Sequence, residues 1–234
     1  SIVRSFLNGV EVIFCQTRLL ERQLIEGIGI KKDRLVFFPN FVQDHLITPK
    51  LEDKDFSGRC VYVGQIKREK GVFEIIEAIG GDKRFTCDFY GPIHTRDKDD
   101  FEREVAGKEN LSYGGLVDHD DVVRTISSYD VFLFPSFHPS EGYPAVIFES
   151  YASGVPVVAS DWLALGEIVT DGVTGILIPP KRPEAIVQAL EKLLNDDELY
   201  RMMRENALDF ALKHSEKNII EGILIKRLMT LIRD

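Results

Sequence analysis

The chain has 234 residues, 44% of them hydrophobic and 29% charged, which is long enough for one full core and fits a soluble globular protein rather than a disordered or fibrous one. A formal net charge of −9 excludes a general nucleic-acid binder, whose affinity rests on basic surface. Cys15, Cys60 and Cys87 are odd in number and sit in apolar runs, which predicts buried reduced thiols, with no disulfide framework and no metal-ligand spacing.

In chain order, the sequence predicts a strand over 11–16, an amphipathic helix over 17–28 capped by Thr17, and a strand over 35–40 ending in Pro39 and Asn40. Two strands and a helix cannot close a core alone. Residues 41–57, charged and carrying Pro49, read as a linker. From Arg59 the alternation is regular, with strands over 60–64, 85–90, 111–114, 131–134, 155–159 and 175–178. Helices over 69–79, 97–106, 118–129 and 145–153 fall between them. This is the pattern of an α/β, Rossmann-like, doubly wound parallel sheet of six strands in the order 3-2-1-4-5-6. Ligands of such sheets bind outside the carboxyl ends of the strands, here after strands one and four. Beyond Pro179 and Pro180 the chain reads as helical, over 183–195, 196–214 and 215–233. No apolar run reaches the length of a membrane span and no signal peptide is visible, which predicts a cytoplasmic chain and leaves peripheral association with the inner face of a membrane compatible.

The stretch from strand four to strand five carries the chemistry. Glu141 lies in the loop at the carboxyl end of a strand, Gly142 permits a turn, and Pro144 fits the first helical position. Glu149 follows eight positions after Glu141, a span of roughly 12 Å at most along a helix. Between the two carboxylates stand the free N–H groups of a helix start, which attract anions, and the pattern predicts that they face an open cleft. A nucleotide sugar matches this layout, with its hexose near Glu141, its diphosphate over 142–146 and its ribose near Glu149. A capped helix carrying two ordinary surface glutamates has the same spacing.

This glutamate pair, set in a Pro-Ser…Glu-Gly…Glu…Gly-Val-Pro-Val-Val-Ala-Ser frame, resembles the donor-binding half of the retaining glycosyltransferases of family 4. These are group 1 enzymes of GT-B type, with two Rossmann-like domains facing a cleft. The resemblance extends to Val61, Tyr62, Val63 and Gly64 followed by Lys70 and Gly71, to Tyr90, Gly91 and Pro92, to Gly114, Gly115, Leu116 and Val117, and to the run from Glu167 to Gly175. It implies that 1–45 is the tail of an amino-terminal acceptor domain whose remainder is absent. By the same resemblance 46–57 is a linker, 58–214 the donor-binding domain, and 215–234 a helix returning toward the amino-terminal segment.

The resemblance also implies roles. Glu141 and Lys70 are catalytic, Glu141 through the donor sugar and Lys70 by neutralising the diphosphate. Gly64, Gln65, Gly91, Val117, Gly142, Tyr143, Ala145, Val146 and Glu149 bind the donor, Glu149 at the ribose and Val117 through its backbone. Gln65 stands where the family carries an arginine, and Lys67 and Arg68 are the nearest cations in sequence. His94 and His138 read as polar loop residues and Glu167 as structural. No cofactor or metal is implied. The expected function is transfer of a hexose, with retention, from a nucleoside-diphosphate sugar to a glycan or lipid-linked acceptor in surface polysaccharide synthesis. The alternative is a non-catalytic nucleotide-sugar-binding subunit that needs a partner chain. Exposed apolar surface on 1–40 is expected to favour self-association or a partner domain.

Overall fold

Unbroken runs of Val, Ile, Leu and Phe dictate the centre of the molecule, because a strand covered on both faces has no side left for water. The computed structural model describes residues 6, 7 and 9–233, so the first five residues of the amino-terminal segment, with Asn8 and Asp234, lie outside the described residues. Near the amino end, β1 (Ile13–Cys15) pairs in parallel with β2 (Leu35–Phe37). They are joined through α1 (Arg18–Gln23) and a π-helical turn, Leu24–Ile28. Thr17 caps α1 as its position predicts, accepting from the Leu20 N–H at 2.8 Å. Cys15, Leu24, Ile30 and Leu35 form a small core of their own, while Phe6 and Leu20 remain exposed.

The main sheet is parallel and six-stranded. Its elements are β3 (Arg59–Val63), α2 (Val72–Ile79), β4 (Thr86–Tyr90), α3 (Lys98–Val105), β5 (Leu111–Gly115), α4 (Val122–Ser127), β6 (Val131–Phe134), α5 (Ala145–Ala152), β7 (Val157–Ser160) and β8 (Gly175–Ile178). The strand order is β5-β4-β3-β6-β7-β8, the order expected for a doubly wound sheet, with β3 and β6 side by side at the switch point. Period-two alternation sends Cys60 and Tyr62 to one face and Val61 and Val63 to the other; Val131 and Leu133 part from Phe132 and Phe134 in the same way. The first face packs on Ile75 and Ile79 of α2, Phe101 of α3 and Leu190 of α6 (Pro183–Leu194). The second packs on Ile126 of α4, Ile147 and Phe148 of α5, and Ala207 and Ala211 of α7 (Asp197–Lys213). Cys15, Cys60 and Cys87 are all buried and free.

Several boundaries differ from the sequence expectation. The helix predicted over 69–79 begins with a 3₁₀ turn, Arg68–Lys70, and that over 118–129 with another, His119–Asp121. Strand five begins at Val157 rather than at Val155, because Val155 donates its N–H to Ser150 in the turn that closes α5. Pro144 is extended, at φ −66° and ψ 122°, and caps α5 from outside rather than filling its first turn. The final helix is three pieces: α8 (Glu216–Ile219), a π-helical stretch over Ile220–Ile225, and α9 (Lys226–Arg233). Its start bonds to the linker, with Glu216 N–H on the Val42 carbonyl at 2.8 Å, and Arg227 reaches the Asp33 carbonyl. Ile225, Leu228, Met229 and Ile232 stay exposed. Among the described residues no helix is long and apolar enough to cross a membrane.

Gly91, directly after β4, shows how tightly the strand ends approach. Its φ is +125° and a Cβ there would fall 2.1 Å from the Gly64 carbonyl oxygen. Gly91→Ala should therefore cost about 2–4 kcal/mol in urea unfolding, from left-handed strain plus overpacking. Gly107→Ala, at φ +80° with open space around it, should cost only about 1 kcal/mol. Equal costs would show that the Gly91–Gly64 contact is not tight.

Candidate functional site

The site forms where the loop after β3 meets the loop after β6. Gly71 makes the meeting possible: its φ is +79°, and a Cβ would lie 2.2 Å from the Pro135 carbonyl oxygen. The Phe137 N–H donates to the Glu69 carbonyl at 2.9 Å and fastens the two loops a second time. Lys70, between these contacts, is thereby delivered to Glu141. Its Nζ stands 2.7 Å from Glu141 Oε2, with the two side chains 21% and 7% exposed. The fully buried Ser136 donates from Oγ to the same oxygen. Two donors thus hold Oε2, whereas Oε1 takes no protein hydrogen bond among the described residues.

A pocket of about 210 Å³ opens at this junction. Gly64, Gln65, Lys70, Glu141, Val146 and Glu149 all line it, so the strand ends and both glutamates share one wall. Pro144, Tyr62, Val63, Val122 and Phe134 complete the lining, and the last four went unmarked in the sequence as site residues. Val63 and Phe134 carried a usable signal, since each is the last residue of a strand flanking the switch point. Tyr62 donates from its hydroxyl to the Gln65 carbonyl at 2.7 Å and so pins the turn that presents Gln65 and Lys70. A larger cavity, about 420 Å³, lies between the linker and α7–α8 but brings no pair of carboxylates together.

Between the glutamates, α5 starts with no side-chain cap, because Pro144 has no acceptor to offer. Gly142 and Ala145 beside this start are exposed. The helix start is therefore open, as predicted, but Glu141 is not: at 9% exposure it sits in the wall rather than in open solvent. Val146 and Glu149 share a face of α5 at i and i+3. Burial pushes the Glu149 carboxyl above the usual carboxylate range, and His119, with Nδ1 3.7 Å from Glu149 Oε1, opposes the shift.

Other expected residues stand elsewhere. Tyr143 is 6% exposed, and its ring packs on Phe148 at 5.4 Å between centroids and edge-on against Phe37, so its side chain belongs to the core rather than to a sugar pocket. Gly91 backs Gly64 from behind, and Val117 is half-buried against the core. Neither Lys67 nor Arg68 replaces the absent arginine in the pocket lining. Lys67 Nζ lies 3.3 Å from His138 Nε2 and 3.6 Å from Glu69, and Arg68 pairs with Asp100 at 3.0 Å and stacks on Phe73. Glu167 is structural: its two oxygens accept from the Arg18 and Leu19 N–H groups at 2.6 and 2.7 Å, capping α1. Among the described residues no group of three or more His, Cys, Asp or Glu side chains gathers as a metal site would require.

The family model described as "Glycosyl transferases group 1" matches residues 48–210. The chain is 33% identical over 156 residues to alpha-D-kanosaminyltransferase of Streptomyces kanamyceticus, covering 63% of this chain and 39% of that protein. It is 32% identical over 187 residues to phosphatidyl-myo-inositol mannosyltransferase of Mycobacterium leprae, covering 77% of this chain and 49% of that one. It spans about half the length of such relatives. The crystal structure of Anabaena Alr3699/HepE in complex with UDP and glucose superposes with a TM-score of 0.82 at 17% identity, covering 98% of this chain and 66% of that chain; at that identity the likeness shows a shared GT-B fold alone.

The raised Glu149 carboxyl gives a pH test. Its folded value lies above its unfolded one, so the folded chain binds the proton more tightly, and the buried charge costs stability above the raised value. That cost is relieved as pH falls through the folded value toward the unfolded one. Glu149→Gln, neutral throughout, should raise the urea midpoint near pH 7 by an increment that shrinks toward pH ~4.3, the ordinary glutamate value. An increment that grows as pH falls would contradict the burial argument.

Proposed function

The chain belongs to the group 1 glycosyl transferases, and from that membership we propose that it is the donor-binding half of a retaining hexosyltransferase of the family 4 type. The observation that carries this reading is the single pocket in which Glu141, Lys70, an uncapped helix start and Glu149 come together. A nucleoside-diphosphate hexose fits that order of chemistry. Glu141 accepts from sugar hydroxyls through Oε1, Lys70 and the N–H groups of Ala145 and Val146 meet the diphosphate, and Glu149 accepts from the ribose hydroxyls. At about 210 Å³ the pocket is below the ~300–1,000 Å³ common for ligands of this size, so the base and the acceptor side extend beyond it, the base along the backbone near Val117. The UDP and glucose of the HepE complex support a nucleotide sugar here.

In this reading the anomeric carbon–diphosphate bond breaks with positive charge developing on the sugar and negative charge on the leaving group. Catalysis is positioning plus stabilisation of that departing charge by Lys70 and the helix start, with no metal or cofactor invoked. The acceptor is a glycan or lipid-linked sugar of surface polysaccharide synthesis, held by a second domain of which residues 1–45 form the tail. A second reading, a nucleotide-sugar-binding subunit completed by another chain, draws support from the uncharged Gln65 and from a Lys70 already paired with Glu141.

Calorimetric titration with UDP, GDP and their hexose forms tests the assignment. Glu149→Ala should weaken the bare nucleotide and its sugar form alike, by about tenfold, the worth of a hydrogen bond to a charged group. Glu141→Ala should weaken only the sugar form, because it removes the hydroxyl acceptor while releasing Lys70 for phosphate. Equal losses for both variants on both ligands would overturn the roles.

A further inference from the structure

The amino-terminal segment reaches the glutamate loop at Tyr143. Asn40 donates from Nδ2 to the Tyr143 carbonyl, and its Oδ1 accepts from Gln16 Nε2 at 2.8 Å, so the amide is oriented from both sides. Phe37 holds the Tyr143 ring edge-on, with centroids 6.3 Å apart, and Phe148 of α5 supports it from the other side. The residue before Pro144 is thus gripped by carbonyl and by ring, from Asn40 just after β2 and from Phe37 at its end.

That carbonyl has unusual leverage. The peptide unit joining Tyr143 to Pro144 is planar, so with Tyr143 held through its ring, anchoring the carbonyl oxygen restrains rotation of the whole plane. The pyrrolidine ring then fixes the next torsion, the Pro144 φ of −66°. A single free torsion, the Pro144 ψ, remains before the Ala145 N–H, the first amide of α5. We propose that Asn40 is a positioning residue for donor binding: through the Tyr143 carbonyl it sets the direction in which the uncapped amides of α5 point into the pocket. The proposal rests on the donor reading given above. Asn40 touches no reacting group and adds no charge; it acts by orientation. The segment that resembles part of another domain is in this way wired to the phosphate-binding end of α5.

The test separates this role from simple docking of the segment. Amide hydrogen exchange is followed at Ile147, whose N–H donates to the Pro144 carbonyl at 3.3 Å, in the ligand-free full chain and in its Asn40→Ala, Asn40→Asp and Glu167→Gln variants. UDP and GDP are titrated in parallel. Asn40→Ala and Asn40→Asp should speed exchange at Ile147, and Asn40→Ala, which adds no charge, should weaken the nucleotide that binds by about three- to tenfold, the effect of one lost hydrogen bond. Glu167→Gln, which loosens the cap of α1 without touching the hydrogen bond to the Tyr143 carbonyl, should leave both readouts at wild-type values. Wild-type exchange in the Asn40 variants, or equal effects from Glu167→Gln, overturns the proposal. Should Asn40→Ala fail to fold, Asn40→Asp keeps the shape, replaces the donor with a charged oxygen and carries the exchange comparison. A wild-type chain that binds neither nucleotide sinks the donor reading, while the exchange result still decides the role of Asn40.

Discussion

The close approach of Gly71 to the Pro135 carbonyl is the constraint on which the site depends. A parallel sheet leaves its two central strand ends side by side but sets no distance between the loops that leave them. Here a left-handed glycine and one backbone hydrogen bond, Phe137 to Glu69, bring those loops to van der Waals contact. Lys70 and Glu141, 71 positions apart, then meet as an ion pair. Any side chain at position 71 would push the loops apart and leave a buried carboxylate with one donor fewer, which is why this glycine matters more than those in open turns.

Asp130, Glu141 and Glu149 are handled in three ways. Asp130, just before β6, would be pushed up by burial, but the Ser57 hydroxyl, the N–H groups of Ser57 and Arg59, and Lys54 hold it below the usual range. It is a structural anion, fully satisfied by the chain. Glu141 has two donors on one oxygen and a second oxygen left without any. Glu149 has one imidazole neighbour, His119, and is pushed up by burial. The two carboxylates that line the pocket are the ones with unmet acceptors, as expected where a ligand is to supply the missing donors.

Local pattern carried the fold, and long-range contact decided the site. Val131–Phe134 and Gly175–Ile178 stand at the boundaries read from sequence, because a short apolar run between turn residues leaves little choice of ends. The glutamates were legible as a spacing and Lys70 through the family resemblance, and the structure adds that they line one pocket. What sequence alone did not carry was direction. Tyr143, between the two glutamates, turns into the core because Phe37 and Phe148 wait there, and neither neighbour is visible from the local pattern. Lys67 and Arg68 were equivalent as nearby charges, yet Asp97 and Asp100 draw Arg68 toward α3 and His138 draws Lys67 to the loop. Pro135 matters through Gly71, some sixty positions earlier, which no window of sequence displays.

The three buried thiols have a practical corollary. Cys60 and Cys87 lie fully enclosed in the sheet and burial pushes both far from ionisation; Cys15 is raised for the same reason. Thiolate is the form that alkylating dyes attack, so the folded wild-type chain should be inert to them. A cysteine placed at the exposed Ala145, between the lining residues Pro144 and Val146, would then be the sole reactive point, and a fluorophore or spin label there would report on the pocket mouth without any need to strip the native cysteines from the core.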